Sequence, residues 1–422
     1  MIRFHEAQNQ IHEVALKRQD SLKSERIFLL DGIGRISAKE VLAPENMPAF
    51  DNSAMDGFAI KSHESNLASP QNPISFKVEN IIAAGERLAK PTSQSMLTYE
   101  IMTGAPFPDG FDACVRIEDC KVIRDHSGRA KQITITEILN SGQNLRPAGG
   151  DFNLGARLLA KGEMLRDEQL LALASFGIVE LEVFSKLKIA LIATGKELVN
   201  FDQTPGPGQI RNSTQPYLEN VIKKMNAIVE SFLLKEDHPA EFTKLVENLS
   251  QNHFDMIIST GAVSMGQFDF VAPALMAMKA KIFFHKVAIR PGKPILFAEI
   301  PNGPVIFSLP GNPVSSVVGL RFFVEHYFSS LFYRPVEKPM LAYLSHDYEK
   351  PKDLMCFLKA RLDQTKELPA IEILEGQMSS MLSSLLKSNV WAIIEDGISN
   401  LKAQSLVHFL PIHTDHYQRI DR

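Results

Sequence analysis

"KIALIATG", residues 188–195, is a continuous apolar run with the length of a strand that is buried on both faces. Helical stretches and further apolar runs alternate after it, as far as "DMIISTG" at 255–261. Strands that alternate with helices predict a parallel sheet with crossover helices. We therefore expect a doubly wound α/β domain over residues 186–331, closed by the helix that follows "LPGNP".

The segments on either side of this domain have different patterns. Residues 1–185 begin with apolar positions at helical spacing over 4–23 and continue with short stretches punctuated by proline and glycine, which predict a β-rich region with an inserted lobe at about 54–142. Residues 335–422 contain short apolar stretches such as "CFLKARL" and "VWAIIED", which predict a small carboxyl-terminal β domain. The chain is thus expected to be a multidomain α/β protein, as its 422 residues allow.

The charge balance and the cysteine content exclude several classes of protein. A formal net charge of -4 gives no electrostatic reason to bind nucleic acid or an anionic membrane. The three cysteines match neither a zinc site nor a secreted disulfide framework, and the amino terminus lacks the apolar core of a signal peptide. Charged residues interrupt the apolar stretch at 314–332, so we expect a buried amphipathic helix and not a membrane span. These features predict a soluble, cytoplasmic protein.

Three glycine-containing loops are expected at one edge of the sheet, because ligands bind outside the carboxyl ends of parallel strands. The loops are "ATGKEL" at 193–198, "STGAVSMGQFDF" at 259–270 and "SLPGNPVSS" at 308–316. The second has two glycines separated by four residues, but it lacks the Lys and Ser/Thr of a Walker phosphate loop. Each loop could also be a simple strand-to-helix connection whose glycines serve only the backbone geometry.

Charged and capping residues beside these loops favour an anion site. Asn312 is predicted as the N-cap of a helix that begins with proline, where free N–H groups carry a positive partial charge. Arg290 and Lys293 flank the Pro-Gly turn of "IRPGKP" and could face one anion, although a solvated basic turn is the alternative. Glu197 and Asp269 lie in the same set of loops, and carboxylates beside phosphate donors indicate Mg²⁺.

A cluster of acidic and amide residues, "AFDNSAMDGFAI" at 49–60, marks the amino-terminal region. A calcium loop of the EF-hand type would need a ligand in place of Met55 and a later bidentate Glu, so that explanation fails. An Asp-Gly turn at Asp56 accounts only for the end of the motif. The residues before it require another explanation.

Seven motifs along the chain together resemble the molybdopterin molybdenumtransferases of molybdenum cofactor biosynthesis, a family that includes the E domain of gephyrin. In order they are "FDNSAMDGFA", "IMTGAPFP", "GQNLRPAGGD", "ATGKEL", "STGAVSMGQFDF", "RPGKP" and "LPGNPVSS". The resemblance implies an elongated homodimer in which each active site lies between the α/β domain of one subunit and the amino-terminal region of the other. It also implies that adenylylated molybdopterin is hydrolysed, AMP leaves, and molybdate is inserted at the dithiolene with Mg²⁺ present.

The resemblance further implies site residues, motif by motif. For catalysis these are Asp56, Thr103, Asp151, Glu197 and Asp269. For binding the pterin nucleotide and molybdate they are Arg146, Thr194, Gly195, Ser259, Thr260, Gly261, Ser264, Arg290, Lys293, Pro310, Gly311 and Asn312. For Mg²⁺ they are Glu197, Asp237 and Asp269. Because the chain contains no second α/β domain of the required type, a separate molybdopterin adenylyltransferase is implied as a partner, together with other proteins of the cofactor pathway.

The chain departs from the family pattern at Lys196, Ala262, Arg290 and "PAGGD" at 147–151. Lys196 stands where an acidic residue is usual, close to the implied metal site. Ala262 stands where a glycine is usual, and this matters only if the residue adopts a positive φ. The main hypothesis is an enzyme that inserts molybdenum. The alternatives are a diverged, non-catalytic binding or scaffold member of the same family, and a generic nucleotide-binding α/β enzyme, which would leave the amino-terminal motifs unexplained.

Overall fold

The structure is a computed structural model that describes residues 1–86, 94–235, 238–263, 270–363, 365 and 368–413. Its helices are α1 (Phe4–Arg18), α2 (Asp167–Ser175), α3 (Thr214–Lys223), α4 (Pro239–Gln251), α5 (Val271–Ala277), α6 (Pro313–Gly319), α7 (Glu325–Leu331) and α8 (Leu382–Lys387). Its strands are β1 (Ser24–Phe28), β2 (Val41–Leu42), β3 (Asn52–Ser53), β4 (Gly57–Ile60), β5 (Ile74–Ile82), β6 (Leu97–Ile101), β7 (Ala113–Arg116), β8 (Lys121–Arg124), β9 (Ala130–Ile135), β10 (Leu145–Arg146), β11 (Arg157–Leu159), β12 (Glu180–Phe184), β13 (Leu187–Thr194), β14 (Leu198–Val199), β15 (Ile210–Arg211), β16 (Ala227–Leu234), β17 (Met256–Thr260), β18 (Lys281–His285), β19 (Ile289–Arg290), β20 (Leu296–Glu299), β21 (Val305–Leu309), β22 (Met340–Leu344), β23 (Tyr348–Glu349), β24 (Met355–Asp363), β25 (Ala370–Ile373), β26 (Val390–Ile394), β27 (Asn400–Leu401) and β28 (Leu406–Pro411).

The chain divides into two compact units. The larger comprises residues 1–39, 161–170 and 180–422, and the smaller comprises residues 40–160 and 171–179. The larger unit contains the central sheet and the carboxyl-terminal sheet, and the smaller contains a β-sheet of its own.

The central sheet has six strands in the order β16, β13, β17, β21, β20, β18. The first four are parallel, as the alternation of strands and helices predicts. β20 and β18 run antiparallel to their neighbours, so the expectation of a wholly parallel sheet was wrong at this edge. A tight turn joins β20 to β21, in which Gly303 N donates to Ile300 O at 2.9 Å, and only antiparallel strands can be joined by so short a connection.

Both faces of the central sheet are covered. Ile189 and Leu191 of β13 belong to one apolar core, which also contains residues of α1 and α3. Ala190 and Ile192 belong to a second core, which contains residues of α4 and α5. Successive residues of one strand therefore enter opposite layers, as the geometry of a strand requires. This confirms the doubly wound arrangement expected for the central region.

The first helix has the apolar face that the sequence predicts. Its buried residues are Phe4, Ala7, Ile11, Val14 and Ala15. The Phe4 ring meets Phe323 edge-on, with 5.5 Å between the ring centroids. The helix ends at Arg18, and a single 3-10 turn follows it at Gln19–Ser21. The apolar periodicity over 4–23 therefore predicts the helix correctly but places its end too late.

The apolar stretch at 314–332 is helical, with a π turn at Leu320–Val324 between α6 and α7. The helix is buried nearly all round, so the expected polar face is absent from it. Its charges lie inside instead: Arg321 Nη1 is 3.3 Å from Glu325 Oε2, and Nη2 is 2.8 Å from Glu337 Oε1. Pairing and hydrogen bonding make such burial tolerable. Within the described parts of the chain, no helix is long and apolar enough to cross a membrane.

The carboxyl-terminal sheet has six strands in the order β19, β24, β25, β22, β28, β26, and β24 also pairs with β26. The strands predicted after residue 335 all appear in it. The edge strand β19 comes from the central region of the chain. Its residues Ile289 and Arg290 pair with Met355 and Cys356 of β24. This ladder holds the start of the "RPGKP" turn against the carboxyl-terminal sheet.

The smaller unit is built on a sheet in the order β7, β4, β6, β5, β9, β8. Phe58, Phe76 and Ile133 are fully buried in its core. A separate short ladder pairs β3 with β10, which places Asn52 opposite Arg146. The β-rich, loop-rich character expected of the amino-terminal region is therefore observed.

Candidate active site

A cavity of about 590 Å³ lies at the carboxyl edge of the central sheet, where β13, β17 and β21 end. The three loops predicted to share this edge do meet here. The lining residues are Thr194, Gly195, Glu197, Leu198, Ile210, Arg211, Asn212, Ser213, Thr214, Thr260, Gly261, Ala262, Gly311, Asn312, Pro313 and Ser380. The cavity therefore combines hydroxyl, amide and carboxylate groups with one guanidinium group.

Close packing of the three loops explains the glycines. Gly261 has φ +91°, and a Cβ on it would lie 2.6 Å from Thr194 Oγ1 and 2.7 Å from Thr194 O. Thr194 cannot move away easily, because its hydroxyl donates to Thr260 O at 3.0 Å. A Cβ on Gly311 would lie 3.6 Å from the Gly261 Cα, so the second and third loops also touch through their backbones. Gly261 thus has a geometric role even without a ligand, whereas a Cβ on Gly311 would make only an ordinary van der Waals contact.

Glu197 is held by the backbone of its own loop. Gly195 has φ +148°, and a Cβ on it would lie 2.8 Å from Glu197 Oε1, so the carboxylate lies directly over this glycine. Leu198 N donates to Gly195 O at 3.1 Å, and Ile210 N donates to Glu197 O at 2.8 Å. These bonds fix the loop and place the Glu197 carboxylate at the cavity wall.

The third loop begins a helix as predicted. Asn312 is the N-cap with φ -65° and ψ 127°, and Pro313 is the first helical residue. The Asn312 side chain makes no capping hydrogen bond, which leaves its amide group to the cavity. Two other predicted binding residues lie deeper: Ser316 Oγ donates to Pro310 O, and the fully buried Ser259 hydroxyl donates to Ser308 Oγ at 2.9 Å. Pro310 and Ser259 therefore support the loops without lining the cavity.

The basic turn lies beside the start of α6. Gly292 has φ +99°, and a Cβ on it would be 3.6 Å from Ser315 O in the first helical turn. Arg290 and Lys293 are both exposed, and neither lines the cavity. The structure therefore brings the turn to the helix that borders the cavity, with its two cations in solvent.

In the smaller unit, two of the predicted residues contact each other. Thr103 donates to Asp56 Oδ1 through its backbone N at 2.7 Å and through its hydroxyl at 2.9 Å. These two bonds lower the pKa of the Asp56 carboxyl, the backbone bond more than the hydroxyl, so Asp56 is ionised at neutral pH. Arg146 is exposed beside Asn52, and Asp151 is exposed where its N donates to Met47 O at 3.0 Å.

Three predicted residues lie outside the described residues, namely Asp237, Ser264 and Asp269. In turn, the cavity contains residues that the sequence interpretation missed: Arg211, Asn212, Ser213, Thr214 and Ser380. The Asn-Ser-Thr run at 212–214, which includes the N-cap and the first residue of α3, is a capping signal that could have indicated the first four, since helix starts after strands border such cavities. Nothing in the local sequence indicates Ser380.

Ser380 reaches the cavity on a loop held by a buried lysine. Lys359 is 1% exposed, and its Nζ donates to three carbonyl oxygens of that loop, those of residues 376, 378 and 381, at 2.7 to 3.1 Å. Burial lowers the pKa of Lys359. On the other side, Val314 N in α6 donates to Ser379 O at 3.1 Å. The loop is therefore fixed to the carboxyl-terminal sheet and to the helix that borders the cavity.

The donor set fits a magnesium ion that is shared with a substrate phosphate. Mg²⁺ is usually held by one or two carboxylates together with phosphate oxygens and waters. Glu197 supplies one carboxylate to the cavity, and the other two implied ligands lie beyond what the structure describes. Among the described residues there is no group of three or more His, Cys, Asp or Glu side chains that could hold a metal without such help.

Three family models match the chain in sequence. They are "MoeA N-terminal region (domain I and II)" at residues 2–177, "Probable molybdopterin binding domain" at residues 190–330, and "MoeA C-terminal region (domain IV)" at residues 342–412. Together they cover nearly the whole chain in the order expected for one protein of this family.

Relatives and solved structures agree with the family models. The molybdopterin molybdenumtransferase of Synechococcus elongatus is 38% identical over 90% of this chain and 93% of its own length. The enzyme of that name from Staphylococcus aureus is 29% identical over 95% and 94%. The crystal structure of the molybdopterin biosynthesis MoeA protein from Pyrococcus horikoshii OT3 shares the fold, with a TM-score of 0.80 at 24% identity over 97% of this chain and 99% of that one. The chain therefore belongs to the molybdopterin molybdenumtransferase family.

Proposed function

We propose that this protein is a molybdopterin molybdenumtransferase that takes adenylylated molybdopterin and molybdate and yields molybdenum cofactor and AMP. In this reaction water cleaves the phosphoanhydride bond and AMP leaves, while the two dithiolene sulfurs replace oxygen ligands of molybdate, which leave as water with the thiol protons. The observation that carries the proposal is the cavity at the carboxyl edge of the central sheet, where Glu197 lies among hydroxyl groups and loop backbones from three strand ends. The family relationship gives the substrate class, and the cavity supplies a place for the phosphate.

Some residues of the cavity are proposed to bind the phosphate, and others to position the loops around it. The Thr260 hydroxyl and the Asn312 amide line the cavity and can donate to phosphate oxygens. Thr194 has a different task, because its hydroxyl is already bonded to Thr260 O and so fixes the first loop against the second. Gly261 allows the backbones of the first two loops to approach closely, and the proposed phosphate site depends on that approach.

A magnesium ion is also proposed to bind at the phosphate site. Glu197, with Asp237 and Asp269, would hold Mg²⁺, which when bound offsets the negative charge that develops on the phosphate oxygens. Ser264 is proposed as a further phosphate donor, and Arg290 and Lys293 as cations that attract the anionic substrate from solvent. Enclosure in a preorganised site makes such interactions stronger than they are in water.

The predicted residues of the smaller unit are proposed to bind molybdate and to orient water. Arg146 is suited to an oxyanion because its guanidinium group donates several hydrogen bonds, whereas the Thr103 hydroxyl donates its one proton to Asp56 and would have to release that bond to donate to molybdate. Asp56 is kept ionised by its two bonds from Thr103, so it can accept a hydrogen bond from a water and orient it, while its lowered pKa makes it a weak proton acceptor. Asp151 is proposed as a second carboxylate for the same purpose. We further propose that the protein acts as a cytoplasmic homodimer and receives its substrate from a molybdopterin adenylyltransferase.

The proposal is tested by measuring AMP release from adenylylated molybdopterin by the purified full-length protein. We expect release that depends on both molybdate and Mg²⁺ and that falls at least tenfold in Glu197→Gln, since loss of one charged ligand typically costs more than about 1.4 kcal/mol. Glu372→Gln is the matched control, because Glu372 is an exposed carboxylate on β25 outside the cavity. Binding of the intermediate without AMP release under any condition would instead support the non-catalytic alternative.

A further inference from the structure

Arg211 is a charged residue of the cavity to which the proposed reaction assigns no task. It lines the cavity together with the adjacent residues of β15 and the start of α3. Among the described lining residues it carries the only cationic side chain, and Glu197 carries the only anionic one. Arg290 and Lys293, the cations expected from the sequence, lie outside the lining. The positive charge at the cavity wall therefore comes from Arg211.

The backbone of Arg211 is held in a fixed register with the Glu197 loop. β15 pairs in parallel with β14, the strand that directly follows Glu197. Ile210 N donates to Glu197 O, and Asn212 N donates to Val199 O, both at 2.8 Å. One hydrogen bond thus lies on each side of Arg211 along the strand. The cation and the carboxylate are consequently anchored to the same small ladder.

The Arg211 side chain is oriented by one hydrogen bond and keeps the others available. Its Nε donates to Gln203 O at 3.1 Å, which fixes the plane of the guanidinium group. Its two terminal nitrogens have no hydrogen-bond or ion-pair partner among the described residues. A guanidinium group presents such nitrogens as a planar fork that matches two oxygens of one phosphate. A group held in this way loses little conformational freedom when a phosphate binds.

The surroundings of Arg211 favour a dianionic phosphate ester over a neutral ligand. The residues directly after it, 212–214, bring hydroxyl and amide groups to the same wall, and the first turn of α3 contains no acidic residue. Glu197, which carries the only carboxylate among the described lining residues, is proposed to hold magnesium, so a phosphate between Arg211 and that ion would meet positive charge on both sides. The chemistry that this wall favours in a ligand is therefore a phosphate ester, and under the proposed function that ester is the phosphate of the AMP moiety.

We propose that Arg211 is a substrate-binding residue that contacts the phosphate of the AMP moiety. The inference rests on the proposed function and deepens it, because it names the residue that distinguishes the nucleotide from its dephosphorylated form. It predicts that the full-length protein binds AMP more tightly than adenosine and that Arg211 provides much of the difference.

The test is the Kd of AMP and of adenosine, measured by isothermal titration calorimetry with Mg²⁺ present. In Arg211→Ala we expect AMP binding to weaken about tenfold, since a charge-assisted hydrogen bond at a partly exposed site has about that effect. Adenosine binding should change less than about twofold. Arg211→Lys should fall between the wild type and the alanine variant, because it keeps the charge but loses the fork. Arg361→Ala is the matched control, because Arg361 is an exposed arginine of β24 outside the cavity.

Three results would overturn the inference, and all are separate from failure of the proposed function. Equal AMP affinity in the wild type and Arg211→Ala would show that Arg211 makes no phosphate contact, even if AMP release by the wild type proceeds as proposed. A wild type that binds AMP no better than adenosine would remove the phosphate contact altogether. Loss of adenosine and AMP binding in equal measure in Arg211→Ala would assign the residue a structural role and contradict the proposal as well. The proposed function itself is judged by molybdate-dependent AMP release, which none of these binding ratios measures.

Discussion

Replacing Gly261 by alanine perturbs the contact on which the cavity depends. The added Cβ would lie 2.6 Å from Thr194 Oγ1 and 2.7 Å from Thr194 O, and the second of these atoms belongs to the backbone of a central strand. A rotamer change can therefore relieve only part of the clash. In addition, φ is +91° at this residue, a conformation that disfavours any side chain.

The expected loss of stability has two parts. An alanine in the left-handed region costs about 1–2 kcal/mol, from which about 0.4–1 kcal/mol is recovered because alanine restricts the unfolded chain more than glycine does. Overpacking against a strand that cannot move adds about 1–3 kcal/mol. We therefore expect Gly261→Ala to lower the free energy of unfolding by roughly 1–5 kcal/mol, with a central value of about 3 kcal/mol.

The matched control separates the two parts. Gly397, in the same compact unit, has φ +85°, and a Cβ on it would meet no atom within 4 Å. Gly397→Ala should therefore cost only the conformational part, about 1 kcal/mol. Unfolding of both variants and of the wild type in urea is followed by circular dichroism. The midpoints are compared directly when the three proteins have the same m-value, which is the slope of the unfolding free energy against urea concentration. Equal destabilisation by the two substitutions would refute the steric argument and with it the close approach of the first two loops.

Three further predictions concern local conformation and protonation. Ala262 has φ +51°, so Ala262→Gly should raise the unfolding free energy by up to about 1 kcal/mol in the same denaturation assay, and a destabilised variant would contradict this. Thr103→Val should move the pKa of Asp56 upward towards its ordinary value while the larger backbone contribution remains, and carbon-detected NMR titration of the carboxyl would reveal no change if the hydroxyl bond is unimportant. Burial lowers the pKa of His326 below its ordinary value, so as the pH falls the unfolded chain is protonated at this histidine before the folded chain is. The free energy of unfolding should therefore fall as the pH drops through about 6.5. His326→Gln, which can still donate to Gln8 O, should reduce that fall in thermal melts between pH 7.5 and 5.5, and an unchanged pH dependence would exclude His326 as its source.

The sequence predicts much of the central fold, because the relevant information is local. The continuous apolar run at 188–194 predicts a strand that is buried on both faces, and the position of glycine after two of the strands indicates where the cavity forms. The sequence also singles out Ala262, which stands where the family usually has glycine, because an alanine there is strained only if its φ is positive. Its φ in the structure is +51°.

The features that escaped prediction depend on contacts distant in the sequence or on the length of connections. The antiparallel edge of the central sheet follows from the tight turn before β21, which periodicity does not reveal. Ser380 enters the cavity because Lys359 and Val314 fix its loop, and no local pattern indicates that arrangement. Arg321 is buried because two glutamates pair with it, whereas the sequence alone suggests a polar helix face.

The most direct test of the central claim is whether the product carries molybdenum. The purified protein would be mixed with adenylylated molybdopterin, molybdate and Mg²⁺, and the mixture assayed for AMP and for activation of a molybdoenzyme that lacks its cofactor. If the protein is a molybdenumtransferase, AMP and active molybdoenzyme should appear in proportion, and both should disappear when molybdate is omitted. AMP release without activation of the molybdoenzyme, or activation that does not require this protein, would contradict the account.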